Sequence, residues 1–254
     1  MELSGCAAVV TGGGTGVGRA TALALARRGC SVLVNYSRSK DGAEAAAAEC
    51  EGLGVKALAL RADVSVDADC RRMIDTAVDA FGRLDVLVNN AGTTSFIPHD
   101  ELEKVTEEDW DSIMAVNLRG PFQCARAARA ALAADGGGEI VSVSSVAGLA
   151  ATGSSIPYCA SKAGLNNLTV ALARIMGPQN IRVNAVAPGF IDGDWLRQGL
   201  GGAFEAIKGV YTSKSPLGRV ATAEDVAAAI LGVITGSDLT TGHVIPVEGG
   251  ALIG

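Results

Sequence analysis

AAVVTGGGTGVGRATALALARRG, residues 7–29, holds a strand, a turn and a helix in one line. Ala7–Thr11 is an apolar run without alternation, as expected of a strand covered on both faces. Val17–Arg28 carries a helical pattern that stops at Gly29. Between them, glycines crowd Thr11–Gly18. Glycine permits a tight turn and close approach to the backbone, and the following helix offers free N–H groups and the positive end of its dipole. That combination suits a diphosphate. The glycines that matter are Gly12, Gly16 and Gly18, spaced T-G-x-x-x-G-x-G rather than the G-x-G-x-x-G of the usual dinucleotide fingerprint.

The same alternation continues along the chain. Strands are expected at Ser31–Tyr36, Lys56–Arg61, Leu84–Asn89, Glu139–Val143, Arg182–Ala187 and His243–Val247. Helices are expected at Lys40–Leu53 and Val66–Phe81, from a capped start at Thr106-Glu107-Glu108-Asp109 to about Ala134, over Tyr158–Met176, and after a second cap at Thr222-Ala223-Glu224-Asp225. Strand–helix alternation predicts an α/β fold: one Rossmann-like, doubly wound parallel sheet with helices on both faces, residues 1–254 forming a single domain. Ligands of such sheets bind at the carboxyl ends of the strands.

Composition narrows the function. Hydrophobic residues make up 48% and charged residues 19%, an ordinary globular balance, so a packed core is expected. The net charge of −6 and the scarcity of aromatics (4%) argue against nucleic acid and against an anionic membrane surface. The six cysteines are scattered, with no CxxC pair and no neighbouring histidine, so no metal site is expected and the thiols are read as reduced, in a cytoplasmic protein. The N-terminus lacks the basic region of a signal peptide, and no apolar run reaches the ~18 residues of a membrane span.

Beyond the second strand an acidic residue would hold an adenosine ribose as in NAD sites, whereas arginine suits the 2′-phosphate of NADP. Here the sequence reads Asn35-Tyr36-Ser37-Arg38-Ser39-Lys40, with no carboxylate before Asp41. Arg38 can fork onto a phosphate and Ser37 can add a hydroxyl. NADP(H) is therefore the expected cofactor, with NAD(H) the alternative.

One further stretch raises a chemical question. In Pro157-Tyr158-Cys159-Ala160-Ser161-Lys162, a phenol and an ammonium stand four residues apart, on one face if the segment is helical. The expectation is a proton donor, with Lys162 stabilising the Tyr158 phenolate and lowering its pKa toward working pH.

Together these motifs resemble the short-chain dehydrogenase/reductase family. They are the glycine loop Thr11–Gly18, Asp63-Val64, Asn89-Asn90-Ala91-Gly92, Asn117, Ser145, Tyr158-x-x-x-Lys162 and Pro188-Gly189, in that order from Val9 to the C-terminus. Each alone is weak; the ordered set is specific. The resemblance implies a catalytic tetrad of Asn117, Ser145, Tyr158 and Lys162. The family serine precedes the tyrosine by thirteen positions, which selects Ser145 over Ser144. It implies cofactor contacts from Gly12, Thr15, Gly16, Val17, Gly18, Ser37, Arg38, Asp63, Val64, Asn90, Ala91, Gly92, Tyr158, Lys162, Pro188, Gly189 and Ile191. It further implies that Lys162 binds the nicotinamide ribose, and that Asn117 anchors a water relaying protons to Lys162.

The implied activity is hydride transfer between nicotinamide and a small carbonyl or alcohol, with Tyr158 as acid and base. The 3-oxoacyl-carrier-protein reductase branch is the alternative, and a dinucleotide-binding sensor without turnover is an alternative of another class. Against carrier-protein docking, the basic residues of that branch are replaced by Asp135–Glu139 and by Gln179, leaving Arg126 and Arg129. The family threonine after P-G-x-I-x is Gly193 here. Residues 190–215, with little regular pattern, are expected to be a mobile cover over the substrate, whose wall also draws on Thr94, Ser95, Phe96, Ala150–Ile156 and Trp195. A homotetramer is implied, with a dimer as the smaller alternative. Cys159 is expected only to pack, and His99 and His243 lie outside every motif.

Overall fold

A computed structural model describes residues 1–253. Seven strands form one sheet: β1 (Ala7–Val10), β2 (Ser31–Tyr36), β3 (Ala57–Arg61), β4 (Val86–Asn89), β5 (Gly138–Val143), β6 (Ile181–Pro188) and β7 (Val244–Val247). Their order is β3-β2-β1-β4-β5-β6-β7, and every pairing is parallel. The topology reverses between β1 and β4, the point at which sheets of this kind bind ligands beyond the carboxyl edge.

The helices are α1 (Gly16–Ala26), α2 (Lys40–Gly52), α3 (Asp67–Phe81), α4 (Glu107–Met114), α5 (Gly120–Ala134), α6 (Ala147–Ala150), α7 (Ile156–Met176), α8 (Asp194–Leu200), α9 (Phe204–Lys214) and α10 (Ala223–Thr235). Strand side chains alternate between two layers, as the pleat requires. Ala8, Val10, Val32, Val34, Val86 and Val88 pack against α1, α2 and α10. Val9, Leu33, Leu87, Ile140 and Val183 pack against α3, α5 and α7. Burial on both sides explains why the strands read as unbroken apolar runs.

The strands and most helices lie within a residue or two of their expected limits. Both expected caps are capping boxes: Thr106 accepts from the Asp109 N–H, Thr222 accepts from the Asp225 N–H, and each aspartate answers the threonine N–H. Two regions differ. The helix expected to run unbroken to Ala134 contains a π-helical turn at Ala115–Arg119, between α4 and α5. The segment 190–215, expected to be irregular, is mostly helical, as α8 and α9. A charge cluster organises it: Asp192 meets Arg197 and Lys208, each at 2.5 Å, fastening both helices to the end of β6.

Candidate functional site

The glycine loop lies between β1 and α1, and its glycines do different work. A Cβ on Gly18 would fall 2.2 Å from the Gly12 carbonyl oxygen and 2.5 Å from the Asn90 amide nitrogen. A Cβ on Gly12 would fall 3.1 Å from Ala91 Cα. These two let the loop pack on the segment after β4. Gly16 has φ +50°, and a Cβ there would meet nothing within 4 Å, so it leaves the approach to the helix end open. Thr15, the residue before α1, is extended and its side chain caps no N–H. Residues 15–17 thus offer main-chain donors beside open space. This arrangement fits a dinucleotide diphosphate.

Polar residues at the strand ends hold the cradle. Thr11 Oγ1 accepts the N–H groups of Asn90 (2.9 Å) and Ala91 (3.0 Å). Asn90 donates back to the carbonyls of Thr11 and Gly12 at 2.9 and 3.0 Å. Asn35 accepts from the Gly12 N–H at 3.2 Å and donates to the Ala62 carbonyl at 2.9 Å, tying the loop to β2 and β3. Thr11 and Asn35 had no expected role. The available signal was a buried polar side chain closing an apolar strand. Ser37 and Arg38 are exposed just past β2. Asp63 accepts from the Ser65 N–H and hydroxyl at 2.9 and 2.7 Å, and Val64 is buried behind it.

The next residues cluster along the same edge. Ser155 caps α7 by accepting from the Tyr158 N–H at 3.4 Å, so the helix begins at Ile156, two residues before its expected start. One turn on, Lys162 Nζ lies 5.6 Å from the Tyr158 ring centre and donates to the Val143 carbonyl at 2.8 Å. Ser145, past the end of β5, accepts from the Ala147 N–H at 3.1 Å and faces the Tyr158 phenol. Ser144 instead points away, into a 2.5 Å hydrogen bond with Asn166. Gly92 bridges the group: a Cβ there would lie 3.6 Å from Asn117 Oδ1 and 4.0 Å from Lys162 Nζ.

Asn117 sits inside the π turn, fully buried. Its Oδ1 accepts from the Thr93 N–H at 2.8 Å, and its Nδ2 donates to the Thr93 carbonyl (2.9 Å) and to Ser161 Oγ (3.1 Å). The side chain therefore pins the strand-end loop rather than reaching Lys162.

The electrostatics correct one expectation. Burial pushes Tyr158 up to about 12, while the nearby Ser145 hydroxyl pulls it partly back. Burial also pushes Lys162 down to about 8. The expected lowering of the phenol by the ammonium is not found in the chain itself. Desolvation penalises both charged forms, and Nζ is turned to Val143 rather than to the phenolic oxygen.

At the end of β6, the Pro188 carbonyl accepts the Val146 N–H at 2.9 Å, and the Gly189 N–H donates to Val247 at 3.0 Å. Ile191 bridges to Ala221. At Gly193 a Cβ would meet only Ile191, at 4.0 Å, so crowding does not explain the missing threonine. The expected substrate wall assembles around Tyr158. Thr94 and Ser154 hydroxyls meet at 2.5 Å, and the Ile97 N–H donates to the Ser154 carbonyl at 2.8 Å. Phe96 and Trp195 lie edge to face, with centres 6.0 Å apart. His99, outside every motif, has its Nε2 3.9 Å from Cys159 Sγ. A groove of about 1400 Å³ along α4 and α5 contains none of the expected site residues.

A family model described as enoyl-(acyl carrier protein) reductase matches residues 12–251. The chain belongs to the short-chain dehydrogenase/reductase family and is an oxidoreductase. It is 46% identical, over 96% of its length and 95% of the relative's, to a Streptomyces violaceoruber protein assigned as a ketoacyl reductase of the granaticin polyketide synthase. It is 37% identical to the 3-oxoacyl-[acyl-carrier-protein] reductase FabG of Staphylococcus aureus, covering 96% of each chain. A solved structure assigned to a Burkholderia xenovorans short-chain dehydrogenase/reductase superposes with a TM-score of 0.90 at 37% identity, covering 98% of each chain. Among the described residues no helix is long and apolar enough to cross a membrane.

Proposed function

We propose that the chain is an NADP(H)-dependent oxidoreductase that interconverts a small carbonyl compound and its alcohol, with Tyr158 as acid and base. The observation that carries this reading is the meeting of the Tyr158 phenol, the Ser145 hydroxyl and the Lys162 ammonium beside the glycine cradle. When bound, the nicotinamide supplies or accepts the hydride. Residues 15–17 hold the diphosphate through main-chain N–H groups, Arg38 and Ser37 take the 2′-phosphate, and Asp63 and Asn90–Gly92 line the adenosine and ribose. Pro188, Gly189 and Ile191 flank the nicotinamide end.

Near neutral pH Tyr158 keeps its proton, because burial holds it at about 12. It is the acid that a developing alkoxide needs. Ser145 orients the substrate oxygen beside the phenol and stabilises charge there. Lys162, largely protonated at pH 7 and 5.6 Å from the Tyr158 ring centre, is the cation that can turn from Val143 to stabilise the phenolate once the proton has left. Asn117 is a positioning residue, acting through Thr93. Segment 190–215 covers the substrate, and closure there excludes water. The protein acts in the cytoplasm as a homotetramer; exposed Trp110 and Phe122 beside the large groove support self-association.

A second reading, reduction of a 3-oxoacyl thioester, is favoured by the ketoacyl reductase and FabG relatives. Against it, Arg126 is engaged by Asp67 at 2.5 Å and Arg129 by Gln179 at 2.5 Å, so the two remaining arginines of that surface have partners within the chain. The test is initial-rate oxidation of NADPH, beside NADH, against ketones, aldehydes and 3-oxoacyl thioesters. Tyr158→Phe should lower kcat by roughly 10²–10⁴-fold with NADPH binding kept. Equal turnover in that variant removes the tyrosine mechanism, and the best substrate chooses between the readings. Arg38→Asp should move selectivity toward NADH; an unchanged NADPH-to-NADH ratio removes Arg38.

A further inference from the structure

The Tyr158 phenol has an aromatic neighbour. The Trp195 ring centre lies 6.2 Å from that of Tyr158, with the planes at 51°. Phe96 also packs on the indole, at 6.0 Å and 62°. Phe96 is itself held from behind, because a Cβ on Gly199 of α8 would fall 2.0 Å from its ring. The indole therefore has a packed phenyl ring and the phenol as its ring neighbours. Yet half of Trp195 remains uncovered, at 50% exposure. Elsewhere the phenol is closely packed: a Cβ on Gly153 would lie 3.3 Å from Tyr158 Cδ1 and 3.1 Å from Cys159 Sγ.

A carbonyl compound whose oxygen reaches the Tyr158 hydroxyl brings a substituent beside the half-exposed Trp195 ring. What it meets there is an exposed indole backed by a phenyl ring. Aromatic side chains prefer offset or edge-to-face partners, and a flat unsaturated group gains from them beyond its buried area. A flexible saturated chain gains only the area. No cation adds a polar preference at this wall: Arg197, on the same helix, is engaged by Asp192 and Glu205 and lies over the Phe204 ring at 4.2 Å.

We infer that Trp195, set by Phe96, is the specificity-determining residue of this enzyme and selects ketones whose carbonyl carries a planar, conjugated ring. This inference rests on the Tyr158 reading and deepens it by naming the substrate class.

The test compares acetophenone with cyclohexyl methyl ketone, which have the same carbon skeleton, one flat and one saturated. The measured quantity is the ratio of their kcat/KM values with NADPH, which cancels the intrinsic difference in reactivity when variants are compared. Trp195→Ala should lower that ratio about tenfold, mainly through KM for acetophenone, and Trp195→Phe should restore most of it. Phe96→Ala should lower it less. A ratio unchanged within about twofold in Trp195→Ala overturns the inference, while loss of both activities in Tyr158→Phe in the same series leaves the Tyr158 reading intact. A second readout does not need turnover. In a Trp110→Phe background the remaining tryptophan emission comes from Trp195, and acetophenone should quench it saturably where cyclohexyl methyl ketone does not. Saturable quenching without turnover of either ketone removes the Tyr158 reading and, with it, selection among substrates, leaving only binding of a planar ring at Trp195. Turnover of acetophenone without saturable quenching keeps the Tyr158 reading and overturns the inference.

Discussion

Substituting the loop glycines one at a time separates cofactor binding from folding. In Gly16→Ala the new methyl group meets nothing within 4 Å, so the only folding penalty is the backbone, held at φ +50°. A left-handed non-glycine residue costs roughly 1–2 kcal/mol, and loss of glycine's freedom in the unfolded chain returns about 0.4–1. A net loss of about 1 kcal/mol is expected, or some 2–4 °C in Tm for a chain of this size. Gly82→Ala at the end of α3 provides the control, with φ +82° and equally open space far along the chain. It should cost a similar amount. The two variants should part company in NADPH binding. If the methyl group at residue 16 displaces a phosphate from the α1 N–H groups, at least one charge-assisted hydrogen bond is lost, worth about 1.5–3 kcal/mol. Kd should then rise by roughly one to two orders of magnitude. Gly82→Ala should leave Kd unchanged. Gly18→Ala should fail in both respects, since its methyl group would meet main chain at 2.2 Å. The assays are urea unfolding and calorimetric titration with NADPH. Wild-type affinity in Gly16→Ala would refute the placement of the diphosphate in front of residues 15–17.

Lys162→Met should stabilise the fold while abolishing turnover. The folded pKa of about 8 lies below the unfolded value of about 10.4, so the native state binds fewer protons across that interval and stability rises with pH through it; at pH 7 the charged lysine is a net cost of about 3 kcal/mol at most. Loss of its hydrogen bond to Val143 offsets about 1 kcal/mol, leaving a gain of about 1–2 kcal/mol that shrinks toward pH 10 in denaturant titrations. Equal stabilities at pH 7 would contradict the burial argument. Asn117→Ala leaves both main-chain groups of Thr93 without partners and should lower stability by about 2–4 kcal/mol, with Tm falling by about 5–15 °C in a thermal scan. Ketone reduction should hold level up to about pH 8 and decline above it as Lys162 loses its proton, whereas alcohol oxidation should climb toward the Tyr158 value near 12. Rate profiles in both directions check this, and a reduction rate rising between about pH 6 and 8 would count against it.

Much of the fold was legible because burial on both faces writes strands as apolar runs and because capping boxes mark helix starts. The glycine loop was legible for the same local reason: its conformation is a property of glycine itself. What could not be read depends on neighbours distant in sequence. The π turn around Asn117 inserts into a helix without disturbing its apolar pattern, and only the partner, Thr93, shows why it is there. The helices α8 and α9 are short and interrupted at Leu200-Gly201-Gly202. Their order comes from Asp192 binding both Arg197 and Lys208, an arrangement that needs the fold first. The thirteen-residue spacing preferred Ser145 to Ser144, and the two hydroxyls indeed point to different places. The direction of the Tyr158 shift was misjudged because sequence displays the neighbouring charge but not the depth of burial.

The placement of β1 in the middle of the sheet has a consequence for how the protein is made. Its neighbour on one side is β2, which emerges soon after it, but the other is β4. The hydroxyl of Thr11 waits for the N–H of Asn90, 79 residues later. At roughly 5–20 residues per second, a ribosome needs about 4–16 s to deliver that partner. During this interval the glycine loop exists without its clamp, and one edge of β1 is bare. A chain stalled before Asn90 carries the whole glycine loop without the contacts that Asn90 makes to Thr11 and Gly12. On the proposed reading, a cofactor would meet a clamped glycine loop only after β4 and Asn90 have joined β1.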